Sequence, residues 1–245
     1  MDISQKVDQA ILDTPEHKIR PSLNQLEAEW SESRWVATHA GAAGLVSLGL
    51  THLFSPKFAF LPALLGNSLV GHALRGIYPL LPIFRQLGAR PRTEIDRQRY
   101  GLEQRLHPRD PLGLIESGRR HGNRFDRVRR HTHQLVNQKI DMEIQASLDR
   151  LHGAPPAAVR ARLERLEHEW DIDQIIEGQA GALVNLGLAL CRRDRRGYML
   201  AGLGFAGLLS HALTGWSPTL PLLRRLGFRT RREIDREKFA LLSLL

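Results

Sequence analysis

The sequence predicts an all-α membrane protein made of two transmembrane helical hairpins in tandem repeat, flanked by interfacial amphipathic helices. Three observations carry that prediction. The stretch from His72 to Leu102 returns at His211 to Leu241 in register without a gap, with 17 of 31 positions identical. Long apolar runs alternate with polar segments: residues 35–54, 58–74 and 197–223 hold no Asp, Glu, Lys or Arg, and residues 175–191 hold only Glu177. The polar remainder is basic, with 18 Lys and Arg against 12 acids over residues 85–170.

The duplication sets the domain plan, because a repeated unit of this length is one structural module used twice. Residues 1–34 form a cytoplasmic N-terminal helix, 35–102 the first hairpin with a basic tail, 103–172 a cytoplasmic basic linker and helix, and 173–245 the second hairpin with a basic amphipathic tail. Fainter echoes fit the same plan, since LEAEW at Leu26 recurs as LEHEW at Leu166 and LVSLGL at Leu45 recurs as LVNLGL at Leu183. The second alignment places Glu177 at the position of His39.

Each element has its own signal. Pro21-Ser22 with Gln25 reads as a capping box opening a helix that ends near Trp30, and Pro155-Pro156 opens its counterpart running to Trp170. Both helices are expected to lie on the membrane surface or to pack on a neighbour, with Trp30 and Trp170 at headgroup depth. The apolar runs approach the roughly 20 residues that a ~30 Å hydrocarbon core requires. Their small residues recur at the spacing of close helix contact, as in Ala37 and Gly41, Ala40 and Gly44, or Gly178 and Ala182. Gly41, Gly44, Gly178 and Gly181 are therefore the expected packing positions, available for self-association. Pro79 with Pro82, and Pro218 with Pro221, end or bend a helix after each hairpin, and Gly88 and Gly227 supply C-caps. Thr230 with Glu233 then opens a final amphipathic helix.

Residues 1–34 contain no apolar core of a cleavable signal, so the first hairpin is expected to direct its own insertion. The basic middle and tail put both termini in the cytoplasm of a multi-pass protein. The turn at residues 192–196 carries four arginines and argues for a shallow or tilted second hairpin, with Arg192 and Arg196 reaching for phosphates. Arg90, Arg92 and Arg97 in the first tail, and Arg229, Arg231, Arg232 and Arg236 in the second, suit anionic headgroups or a partner protein, the alternative being a solvated, salt-bridged helix because Glu94 and Asp96, like Glu233 and Asp235, sit among the bases. The run holding Arg119, Arg120, Arg124, Arg127, Arg129 and Arg130 also suits phosphate. It lacks aromatic interleaving beyond Phe125, which favours lipid or an acidic protein over nucleic acid.

The set Ala73, Gly76, Pro79, Leu87, Gly88, Arg90, Glu94, Ile95 and Asp96, repeated as Ala212, Gly215, Pro218, Leu226, Gly227, Arg229, Glu233, Ile234 and Asp235, resembles the bacterial YgaP-type transmembrane domain. That resemblance covers residues 35–102 and 173–241. It implies a two-helix hairpin of the bacterial inner (cytoplasmic) membrane, found alone or behind a rhodanese domain, with no activity assigned to the hairpin itself. Tyr78 and Ser217 stand where many members carry cysteine.

Chemistry-bearing motifs are few. The chain has one cysteine, Cys191, which excludes an internal disulfide and multi-cysteine metal sites. No Gly-rich phosphate loop, nucleophile elbow or His-Glu-x-x-His occurs. His72 and His211 hold equivalent places and are the candidate axial ligands of a haem, the alternative being histidines satisfied by a carbonyl or headgroup. His131 and His133 form a weaker metal pair. The expected function is a non-enzymatic membrane scaffold or accessory subunit without cofactor, similar in plan to membrane-shaping reticulons, binding anionic lipid and itself or a larger complex. A haem-binding or small-solute transport protein is the alternative.

Overall fold

The computed structural model describes residues 3–106, 126–191 and 193–245. Among these the chain is all-α and contains no strand. Counting apart the 3-10 turn Pro56–Ala59 and the single helical turn Arg127–Arg130, the helices are α1 (Ile3–Asp13), α2 (Glu16–Ala28), α3 (Glu32–Leu53), α4 (Phe60–Arg75), α5 (Leu81–Gln86) and α6 (Arg92–Leu106), then α7 (Gln134–Leu151), α8 (Pro156–Glu167), α9 (Ile172–Leu190), α10 (Gly197–Thr214), α11 (Leu220–Arg225) and α12 (Arg231–Leu242). The second six repeat the first six in order. The repeat therefore reaches further upstream than the echoes named above: Gln5-Lys6-Val7-Asp8 in α1 returns as Gln138-Lys139-Ile140-Asp141 in α7.

Two compact units divide the chain, and each takes material from both repeats. The first comprises residues 1–31, 90–171 and 221–245, the second residues 32–89 and 172–220.

In the first unit, α1, α2 and α6 close on Ile19, Leu26, Ile95 and Leu102, with Ile11, Leu23 and Leu106 against them. The same positions recur in α7, α8 and α12 as Val159, Leu166, Ile234 and Leu241, joined by Ile140, Ile144 and Leu148. The two clusters meet where α6 packs on α12, and the equivalent rings Tyr100 and Phe239 lie 5.1 Å apart there. This core corrects two expectations and, for the Trp30 and Trp170 helices, matches the alternative of packing on a neighbour. The first surface helix starts at Glu16, upstream of Pro21-Ser22, because Ile19 and Leu26 lie one heptad apart on its buried stripe and that burial outweighs a local Ser-x-x-Gln signal. The Trp30 and Trp170 helices end at Ala28 and Glu167, with apolar stripes that face the protein core. And α12, opened by the expected Thr230–Glu233 capping box, is buried continuously from Arg232 to Glu237 and so has no free polar face there.

In the second unit, α3, α4, α9 and α10 form a bundle in which α3 packs on α10 and α4 on α9. Both hairpins end on a left-handed glycine, Gly76 at φ 66° and Gly215 at φ 83°, whose amides donate to the carbonyls of His72 and His211. Gly88 and Gly227 also take positive φ, as expected of caps. The buried positions Val36, Ala37, Ala40, Gly41, Gly44 and Ser47 of α3 match Ile176, Glu177, Ala180, Gly181, Val184 and Gly187 of α9. Glu177 thus corresponds to Ala37, and Gln179 to His39; this phase corrects the alignment of His39 with Glu177. Among the described residues no helix is long and apolar enough to cross a membrane, which leaves the four expected crossings without structural support.

Candidate functional site

The bundle interior is built from glycine. A Cβ at Gly41 would meet Leu209 Cβ at 2.8 Å, one at Gly181 would meet the Gly66 carbonyl at 2.7 Å, and one at Gly44 would collide with the Phe205 ring. Gly178 is looser, 3.6 Å from Ala73 Cβ on the same test. All four expected packing glycines therefore face helices of their own chain, α10 for the first pair and α4 for the second. The contacts run between the two repeats, where close backbone approach supplies dispersion contacts.

A polar cluster lies inside this packing. His72 on α4 places Nδ1 2.6 Å from Glu177 Oε2 on α9, with the two side chains 8% and 2% exposed. His211 on α10 places Nε2 2.7 Å from Asp173 Oδ1. The hydroxyl of Tyr78, just beyond α4, is 2.8 Å from His39 Nδ1, and its ring meets His72 edge-on at 6.1 Å. At the position equivalent to His39, Gln179 accepts a hydrogen bond from Thr219. Each candidate haem ligand thus turns one ring nitrogen to a carboxylate, and among the described residues no group of three His, Cys, Asp or Glu is placed to hold a metal ion. Each imidazole is hydrogen-bonded to a carboxylate, which lets these polar groups sit within the helix packing.

The outside of the bundle is the reverse of its inside. Val46 and Leu53 of α3, Leu64 and Leu74 of α4, Leu186 of α9, and Met199 and Leu203 of α10 are all more than half exposed. Charge collects at the turns: Lys57 follows α3, and Arg193, Arg195 and Arg196 follow α9, all exposed. Arg192 lies outside the described residues. The two turns belong to one end of the bundle, because His52 and Tyr198 have ring centroids 5.9 Å apart. Exposed apolar side chains on all four helices suit a membrane or protein contact.

The arginines expected to meet headgroups are in the first unit and are engaged with carboxylates. Arg90 pairs with Glu29 and Arg229 with Glu169, so one ion pair is repeated in both halves. Arg92 with Asp96 and Arg231 with Asp235 repeat a second, and Arg97 with Asp8 and Arg236 with Asp141 a third. Arg232 reaches Glu27 at 2.8 Å. Arg229, Arg232 and Arg236 are buried, so their guanidinium groups face the protein. Trp170 is exposed, as an interfacial residue would be.

Of the central basic run, Arg119, Arg120 and Arg124 lie outside the described residues. Arg129 is buried between Asp141, at 2.7 Å, and Glu233, at 2.5 Å, and His133 caps α7, accepting from the Leu135 amide. Burial alone would raise the Glu233 carboxyl; hydrogen bonds and charge from Arg224, with the charge of Arg129, hold it down at about 2. Sequence reasoning named the bases and the acids beside them on the same helix, Glu94, Asp96, Glu233 and Asp235, and missed those from other elements, Asp8, Glu29, Asp141 and Glu169. The signal was present, since each acid of the three repeated pairs is duplicated along with its arginine. No family model matches the chain, and no curated protein or solved structure matches it either.

Proposed function

We propose that the chain is a non-enzymatic membrane scaffold or accessory subunit whose second unit is embedded in lipid as a bundle and whose first unit is a rigid, ion-paired body. The exposed apolar surface of α3, α4, α9 and α10 carries this reading. Averaging hydropathy along a helix counts the buried Gly, His and Glu that lipid never meets, so a helix of modest mean hydropathy can still turn mostly apolar side chains outward. At 1.5 Å per residue α4 is about 24 Å long and α3 about 33 Å, which suits a thinned or locally deformed bilayer. Lys57, Arg193, Arg195 and Arg196 at the turns suit headgroup phosphates. The resemblance to the YgaP-type hairpin is part of the same proposal.

Flotation tests it. Purified chain mixed with phosphatidylglycerol-containing liposomes and detergent, then dialysed, is expected to float with the vesicles and to resist alkaline carbonate. A chain that stays monodisperse without detergent and remains at the bottom of the gradient overturns the reading.

A further inference from the structure

We propose that a groove in the first unit, between α1, α6 and α12, is a docking site for a basic peptide segment of a partner protein that presents an arginine beside an aliphatic side chain. The inference is independent of the membrane reading, and its basis is the difference between the two repeats. Asp141, Glu233 and Arg236 of the second repeat correspond to Asp8, Glu94 and Arg97 of the first. In both halves the third residue of the set pairs with the aspartate. In the second half a further guanidinium enters. Arg129 donates to both Asp141 oxygens and to Glu233, delivered by a helical turn that Asp126 caps through the amides of Val128 and Arg129. Val128 in that turn is buried.

In the first half the same two carboxylates line an open groove of about 1070 Å³. The Asp8 side chain is 48% exposed where Asp141 is 6%, and Glu94 is 24% exposed where Glu233 is 2%. Asp8 accepts from Arg97, and Glu94 has Arg90 at 3.8 Å, both from α6 or the residues leading into it. Asp141 shows that such an aspartate can accept a second guanidinium as well. The apolar side of the groove is Val7, Ile11, Leu12, Phe239 and Leu242, with Leu12 and Leu242 exposed. Its bases already have partners: Arg97 has Asp8, Lys238 has Glu167 at 2.7 Å, and Arg105 caps the carbonyls of Ile11, Leu12 and Thr14 at the end of α1. An anionic ligand would have to displace these contacts, whereas a second guanidinium can join Arg97 at Asp8, which is half exposed, and Arg90 at Glu94, which is a quarter exposed. The chain's own turn therefore displays the chemistry of an occupant that no described residue supplies in the first half, an arginine held on a short capped turn next to valine.

A labelled synthetic peptide with the sequence of residues 126–137 is the probe, titrated against the full chain in mild detergent and read by fluorescence anisotropy. Saturable one-to-one binding is expected. It should weaken about tenfold or more when the peptide's Arg129 is replaced by alanine, and equally on Asp8→Asn in the chain, since each change leaves one charge of a close pair without its partner. Gln104→Trp fills the groove from an exposed position of α6 and should block binding at unchanged helix content by circular dichroism, which separates loss of the site from loss of the fold. Absence of saturable binding overturns the proposal. So does binding indifferent to Asp8→Asn and Gln104→Trp, which would place the peptide in the second repeat or on the apolar bundle, and so does equal binding of a peptide with its arginines reversed to glutamate.

Discussion

Glu233 and Glu94 are equivalent residues with opposite surroundings, and the difference is a matter of what reaches them. Glu233 accepts from Arg224 and Arg129 and from the Thr230 amide while 2% exposed, whereas Glu94 sits a quarter exposed with Arg90 at 3.8 Å. Removing one partner from a buried network strands the others, so Glu233→Gln should cost about 3–5 kcal/mol in urea denaturation at neutral pH. Glu94→Gln should stay within about 1 kcal/mol of wild type. The pH dependence has a definite sign. A carboxyl held at about 2 when folded and near 4.5 when unfolded gives its stabilisation in full above 4.5 and loses it as pH falls toward 2. The gap between wild type and Glu233→Gln should therefore close across that window, and a gap constant from pH 6 to pH 2.5 would contradict the assignment. Glycines offer a second comparison at this scale. Gly181→Ala pushes a methyl against the Gly66 carbonyl and should cost about 1–3 kcal/mol by thermal unfolding in one detergent. Gly202, on the same bundle with nothing within 4 Å, should tolerate alanine or gain up to about 1 kcal/mol. Equal effects at both would mean the bundle is looser than its contacts.

At the scale of elements, the contact between α6 and α12 brings two carboxylates of the repeat toward each other. Asp96 is held low despite its burial by Arg92, Arg99 and Arg232; Asp235, raised by burial and by the charge of Asp96 against Arg231 and Lys238, sits at about 6. A raised carboxyl stabilises below its unfolded value of 3.8, and that contribution is lost as pH rises through 6. Asp235→Asn should thus gain on wild type between pH 4 and pH 7, by about 3 kcal/mol, the scale of a shift of about two pKa units. Denaturation curves that keep a fixed offset across that range would show that Asp96 and Asp235 do not share the strain. Much of this element plan was legible beforehand. The uncharged run from Trp35 became α3 within a few residues, the run from Gly197 opened α10, which stops at Thr214 short of the run's end, and Thr230 with Glu233 opened α12. The partners of α12 were not legible, because a helix with bases and acids interleaved looks the same on a lipid surface as inside an ion-paired core. What decides is whether acids such as Asp141, Glu27 and Glu169 lie opposite, and they come from other elements. The start of α2 was misread for a related reason: a four-residue capping signal is local, while the Ile19–Leu26 stripe gains its weight from α6.

At the scale of the molecule, both units draw on both repeats, so duplication here built two cores at once instead of two separate domains. Neither repeat owns a complete bundle: α3 rests its glycines on α10, and α9 rests its own on α4. A single hairpin would expose Gly41, Gly44 and Gly181 on a bare face with little apolar surface to bury. That pairing turns the larger apolar side chains outward, and it gives the membrane reading a consequence that soluble packing does not share. Leu64 of α4 and Leu203 of α10 are exposed on different helices. Replacing both with glutamate should leave helix content and the bundle intact, because neither side chain fills the interior. In lipid each glutamate would cost about 3 kcal/mol at mid-depth, enough together to reverse a modest partition. The double variant is therefore expected to stay at the bottom of the liposome gradient and to remain in solution with less detergent than wild type. The reversal Arg195→Glu with Arg196→Glu at the charged turns should weaken flotation only on anionic vesicles, and less so at high salt, where the Debye length falls to about 3 Å at 1 M. If Leu64→Glu with Leu203→Glu floats as wild type does, these faces do not meet lipid, and the apolar surface of α3, α4, α9 and α10 is instead the seat of a partner protein.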